Sequence, residues 1–378
     1  MLHCCWIDSK GATTGRNLLG SLRTLEGDLN IPRSLFCGVD SRLFFQDKEI
    51  TPNRLKYPPD RGINMSPSRI DVHHHFVPDF YREAVQVSGG DPSGWFVPDW
   101  TPELDAEVNK KFGITTTILS LTAPGACILK DPKASAELAR KTNEFAAKLR
   151  DEKPKEYGFF AALPNLLDKE IALKEIAYAY DVLKADGVTL FTRYGEDNHY
   201  LGHPDFKDIW AELNRRSAVI LVHPTHPVDT AQVSGLPQPV IRYPFETTQT
   251  ALDMLYNKTV RNNPNCKIIL SHAGGTLPFL IGRPASILPK TQEDLGAFWD
   301  DARNFYYDTA VAGTENVFRI LEKFAKPGHI LYGSDTPYAN NDIINFHTSR
   351  QDQYQFEDPN LPAQINRQNA LALFPRLK

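Results

Sequence analysis

From Arg69 onward, short apolar runs alternate with longer stretches in which apolar residues recur every three or four positions. The short runs are Ile70–His75, Thr115–Leu121, Gly158–Leu163, Val188–Thr192, Val219–His223, Ile268–His272, Phe305–Thr309 and Ile330–Ser334. Their length and branched content read as strands. Lys133–Leu149, Asp168–Lys184, Asp205–Arg215, Thr247–Val260 and Glu315–Lys323 read as helices. Around the second of these, Leu167, Ile171, Leu173, Ile176 and Ala177 keep helical spacing. Strands separated by helices in this order predict an α/β fold, a (β/α)8 barrel of the TIM type over residues 67–378. An open doubly wound sheet is the alternative, but no Gly-x-Gly-x-x-Gly follows a strand, so a dinucleotide fold has no support.

Three segments break the pattern. Residues 1–66 have weak periodicity and close on Tyr57-Pro58-Pro59-Asp60-Arg61-Gly62, which predicts a poorly ordered N-terminal extension. Asp8, Glu26 and Asp28 argue against a transit peptide there. Gly89–Trp100 follows the first strand and is loop-like and aromatic, suiting either a wall over a pocket or a surface loop. Val228–Pro244 follows the fifth strand and reads as a second loop at the active-site end.

Composition narrows the function classes. Charged residues make up 23% of the chain and the net charge is −4, so neither nucleic acid nor an anionic membrane is an expected partner. No run approaches the length of a membrane span. The five cysteines form no Cys-x-x-Cys spacing, which excludes a disulfide framework or zinc knuckle and fits the reducing cytoplasm.

The chemistry gathers at strand ends, where a barrel keeps its catalytic groups. The first strand runs Arg69-Ile70-Asp71-Val72-His73-His74-His75. Strand alternation puts His73 and His75 on one face with Asp71 and turns His74 away. Read alone, the tract suits a surface histidine cluster as well as a metal site. The later strands change this: they end on His223, on His272 and on Asp335. His73, His75, His223 and Asp335 make a set of three nitrogens and one oxygen for one divalent metal, zinc first and manganese second, with room for a further ligand. The fourth strand ends Leu190-Phe191-Thr192-Arg193 and offers no lysine to bridge two metals. His272 reads as an acid/base group or a capping histidine. His226 is a rival ligand. Arg193 is a candidate for holding a substrate carboxylate, in competition with Arg242, Arg82 and Arg283.

Asp71-Val72-His73-His74-His75, Val222-His223-Pro224, Ser271-His272-Ala273-Gly274-Gly275 and Tyr332-Gly333-Ser334-Asp335 together resemble the amidohydrolase superfamily. They look most like its metal-dependent, non-oxidative decarboxylases, the branch of the aminocarboxymuconate-semialdehyde and resorcylate enzymes. Phe245-Glu246-Thr247-Thr248 resembles that branch's Glu-Thr turn, and Asn369–Phe374 its closing helix. The Asp71–Tyr81, Phe159–Leu166 and Leu221–Pro227 stretches are most similar to fungal 6-methylsalicylate decarboxylases. The resemblance starts at Arg69 and implies a small aromatic acid of the 2-hydroxybenzoate type as substrate. It implies Asp335 as proton donor with His272 and Glu246 supporting it, and m-cresol as the product from 6-methylsalicylate, a step in polyketide-derived secondary metabolism. A homodimer is expected. A lactonase or other metal-dependent hydrolase shares these motifs and is the alternative; a non-catalytic barrel is disfavoured because all four ligands are present.

Overall fold

The computed structural model describes residues 67–231 and 235–378; the expected N-terminal extension lies outside them. Eight parallel strands form one sheet: β1 Arg69–Phe76, β2 Ile114–Leu121, β3 Tyr157–Ala161, β4 Gly187–Phe191, β5 Val219–His223, β6 Lys267–Leu270, β7 Tyr306–Asp308 and β8 Ile330–Leu331. Each strand pairs with the next in the chain, as βα repeats with right-handed crossovers require. The sheet closes on itself at the seam between β8 and β1. There Val72 N–H donates to Tyr332 O (3.0 Å), Asp335 N–H to His73 O (2.9 Å) and His75 N–H to Thr336 O (2.6 Å). The result is a (β/α)8 barrel.

The longer helices are α1 Asp79–Val87, α2 Pro102–Phe112, α3 Pro132–Glu152, α4 Lys169–Asp181, α5 Lys207–Arg215, α6 Gln238–Tyr256, α7 Gln292–Arg303, α8 Glu315–Phe324 and α9 Asn341–Gln353. Their starts follow ordinary capping chemistry. Thr101 Oγ1 accepts from Leu104 N–H before α2, and Asp131 Oδ1 accepts from Ala134 N–H before α3, each with a proline at the first helical position. Ile70, Val72, Ile118, Phe160, Leu221 and Ile269 fill the barrel interior, and Leu373 and Phe374 of the C-terminal segment plug its N-terminal end. That leaves the C-terminal end for chemistry.

Two expectations change. Val228–Pro244 is not a loop throughout, because α6 begins at Gln238 and runs through Pro244. Interior proline costs about 3 kcal/mol in an exposed helix. Here Tyr243, Glu246, Thr247, Thr250 and Ala251 are buried, and their packing outweighs the local penalty. The strand phase also differs. The pairing of β1 with β2 shifts register between Asp71 and His74. A bulge adds one residue and breaks the alternation. Ile70 and Val72 point into the barrel, and after the bulge His73 and His75 do too, while Asp71 does not share their face.

Candidate active site

Four side chains from three strand ends converge above the plug. The ligand-capable atoms of His73, His75, His223 and Asp335 lie within 4.8 Å of one another. His73 Nε2 is 3.2 Å from His75 Nε2, and Asp335 Oδ1 lies 3.5 Å from the first and 3.2 Å from the second. The outer nitrogen of each imidazole is tied back. His73 Nδ1 meets Asp308 Oδ2 at 2.8 Å, His75 Nδ1 meets Ser120 Oγ at 3.0 Å, and His223 Nδ1–H donates to Pro224 O at 2.7 Å. Such outer bonds fix the tautomer and turn the Nε2 lone pairs inward.

The backbone around these groups is held out of its ordinary basins. His272, Ala273, Val311 and Asp335 all have φ between 49° and 67°, costly for residues other than glycine. Close packing enforces it. A Cβ on Gly333 would fall 2.8 Å from His73 Cβ, and one on Gly275 would fall 2.1 Å from Pro244 O. The Asp71 carboxylate, expected beside His73, works from behind: its Oδ1 accepts the N–H groups of His73 and Ser334, each at 3.1 Å, locking β1 to the turn that carries Asp335.

The electrostatics favour a cation. Burial works against a charged His73, but Asp308 and then Asp335 push its pKa up to about 10. Burial lowers His75, and burial with the neighbouring imidazoles lowers His223 well below its ordinary value. Burial opposes an ionised Asp335, yet the facing His272, His73 and His75 hold its carboxyl well below the usual range. A carboxylate and two neutral imidazoles are ready donors for a divalent ion, and the third imidazole joins them by giving up its Nε2 proton as the ion enters. The residues fit the metal that the sequence implied.

Above this floor opens a cavity of about 330 Å³. Its walls include Thr122, Ala123, Pro239, Val240, Tyr243, Val311, Tyr338 and Ile343, together with Asp91, Ser93 and Trp95 of the loop after α1. The Gly89–Trp100 loop is thus a wall of the cavity. His272 also lines it, with Nε2 3.7 Å from Asp335 Oδ2, its backbone N–H donating to Asp308 Oδ1 at 2.9 Å, and its buried Nδ1 without a hydrogen-bond partner among the described residues.

Arg193 and Glu246 stand elsewhere. Arg193 donates to the carbonyls of His226 (3.0 Å), Gly195 (2.9 Å) and Asp197 (3.1 Å) and lines a second cavity, with His226. Glu246 Oε1 accepts from Tyr200 OH at 3.2 Å and Oε2 has no hydrogen-bond partner among the described residues; burial raises its carboxyl. His226 and Arg82 lie outside the first cavity, as do Arg242 and Arg283. His199, on a short hairpin, forms a partly exposed group with His203 and Asp205 of the turn that follows it. Asp308 and Ser120 were missed in the sequence; their signal was a polar residue near the C-terminal end of a buried strand run.

Comparison with known proteins agrees with this geometry. The sequence profile described as Amidohydrolase matches residues 70–376. The chain is 52% identical over 319 residues to the 6-methylsalicylic acid decarboxylase of Aspergillus aculeatus, covering 82% of this chain and 97% of that protein. It is 50% identical over 316 residues to the 6-methylsalicylic acid decarboxylase of Penicillium expansum, with coverage of 82% and 97%. A crystal structure of dihydroxybenzoic acid decarboxylase from Polaromonas sp., with bound manganese and the inhibitor 2-nitroresorcinol, matches at a TM-score of 0.69 and 23% identity over 82% of this chain and 98% of that one.

Proposed function

Because the chain belongs to the amidohydrolase family, we propose that it is a metal-dependent carboxy-lyase acting on 2-hydroxybenzoates, converting 6-methylsalicylate to m-cresol and carbon dioxide. The convergence of His73, His75, His223 and Asp335 beneath a largely apolar cavity carries this reading. These four residues would hold the ion, zinc by the preponderance of imidazole donors and manganese as the alternative. When bound, it supplies Lewis acidity and a fixed positive charge at the floor.

The remaining steps belong to the chain. The walls orient the ring so that its carboxylate and phenol face the floor. Asp335 is held ionised, so it must gain a proton before it can give one. It takes the phenol proton of the incoming acid and delivers it to the ring carbon bearing the carboxylate. The carbon–carbon bond then breaks, its electrons restore the aromatic ring as phenolate, carbon dioxide leaves, and solvent returns one proton to the phenolate. His272, 3.7 Å from Asp335, steadies the carboxyl through this exchange. Glu246, further out beside Tyr200, supports α6, and Arg193 clamps the loop after β4. The exposed Phe245 and Phe279 offer apolar surface for a homodimer, and the free Cys127 and Cys266 suit the cytoplasm. The reaction fits polyketide-derived secondary metabolism.

The test is incubation of the purified protein with a panel of hydroxybenzoates in ¹⁸O-labelled water. Release of m-cresol and carbon dioxide from 6-methylsalicylate, without water oxygen in the phenol, is expected. Inactivity on every hydroxybenzoate, with opening of a lactone instead, would identify a hydrolase.

A further inference from the structure

The far wall of the cavity carries a charge that the decarboxylation does not use. Asp91 lines the cavity, and its Oδ1 accepts the Ser93 N–H at 2.8 Å. Arg82, on the helix just before it, pairs with Asp99 at 3.3 Å and donates to the carbonyls of Val97 and Pro98, leaving Asp91 without an ion pair among the described residues. Burial raises the Asp91 carboxyl, and the Ser93 hydrogen bonds oppose that rise.

Two tyrosines line the cavity with Asp91 and reach towards the floor. The Tyr338 ring lies 5.6 Å from that of His75, and the Tyr243 ring 6.2 Å from that of His223. Burial raises both phenols, with the charges of Asp91 and Asp335 adding to it, so each tyrosine feels a carboxylate at either end of the cavity. Among the described residues lining the cavity there is no lysine or arginine. Positive charge is therefore available to a substrate only at the floor. One carboxylate placed there is compensated. A second, elsewhere on the ring, meets apolar side chains such as Ala123, Val240 and Ile343, or Asp91 itself. An alkyl substituent meets no such penalty.

We propose that Asp91 is a specificity-determining residue: it restricts the cavity to aromatic acids with a single carboxylate and excludes rings that carry a second one. This rests on the reading of the cavity as a hydroxybenzoate site.

The test is calorimetric binding of three acids to the metal-loaded protein: 6-methylsalicylate, 5-carboxysalicylate, and 5-carbamoylsalicylate, which has the shape of the second without its extra charge. In the wild type the carbamoyl acid is expected to bind at least tenfold more tightly than the dicarboxylate. In Asp91→Asn, which can still accept the Ser93 N–H, that gap is expected to shrink on the order of tenfold, as removal of one like charge across a partly buried cavity implies. Asp91→Ser provides the same comparison should the first variant fail to fold. A gap unchanged within twofold in the variant, or equal binding of the two acids by the wild type, overturns the proposal. Because the gap compares two acids that cannot yield m-cresol, a wild type that shows the gap but makes no m-cresol from 6-methylsalicylate refutes the decarboxylase reading alone. Failure to bind any of the three acids overturns both.

Discussion

His73 and His74 are adjacent, fully buried, and each faced by two carboxylates, yet they serve different ends. His74 spends both nitrogens on private partners, Asp71 at 2.9 Å and Asp105 at 2.5 Å. Asp105 is in turn satisfied by Tyr157 OH (2.8 Å), Asn109 Nδ2 (2.9 Å) and Trp100 Nε1 (3.2 Å). Burial works against a charged His74, but Asp105 and then Asp71 push it up to about 10. This network is closed, and it pins β1 to α2 and β3. His73 spends one nitrogen on Asp308 and points the other at a gap shared with His75, His223 and Asp335, beneath a cavity. A buried histidine between carboxylates is therefore not in itself a sign of chemistry. The sign is a lone pair left over and aimed where a ligand can arrive.

Mutation should separate the two networks cleanly. His75→Ala is expected to abolish bound metal and turnover while leaving thermal stability nearly unchanged; elemental analysis and a melting curve check both. His74→Ala should do the reverse. It leaves Asp71 and Asp105 buried without their partner and costs about 3–5 kcal/mol of stability, read by denaturant unfolding, with metal content retained in the folded fraction. Metal lost from His74→Ala and kept in His75→Ala would invert the comparison. Asp335→Asn should lower kcat by about 10²–10⁴-fold, with unchanged circular dichroism.

Asp308→Asn sharpens the contrast further. It weakens the tie that orients His73 and should reduce metal affinity by about 10–100-fold, measured by competition with a chelator. The smallest effect concerns His226, which forms no ion pair among the described residues. Burial, with Arg193 adding to it, lowers His226 to about 4 from its ordinary 6.5. Between those values the unfolded chain binds more protons than the folded one, so stability falls as pH drops from 6.5 towards 4. His226→Gln should flatten that slope by on the order of 1 kcal/mol, checked by urea unfolding across the window.

The barrel was legible because buried parallel strands are continuous apolar runs, and several of them end on a histidine or aspartate where the sheet meets the cavity. His73, His75, His223 and Asp335 stood at such ends and come together in the structure. What could not be read was any feature set by pairing between distant segments. The bulge that displaces Asp71 depends on the register of β1 against β2. The start of α6 was hidden by Pro244, whose local penalty only tertiary packing offsets. Arg193 looked like a carboxylate ligand by position, but the fold turns it onto backbone carbonyls. Asp91 was visible only as part of an irregular loop, since nothing local shows what a loop will cover.

One ion held by His73, His75, His223 and Asp335 is proposed to make this barrel a decarboxylase. The most direct test strips the protein with a chelator, adds zinc or manganese back in steps, and follows bound metal and carbon dioxide release from 6-methylsalicylate in the same samples. Activity should be absent from the stripped protein, rise in proportion to bound metal, and saturate at one ion per chain. Full carbon dioxide release from stripped protein would contradict it.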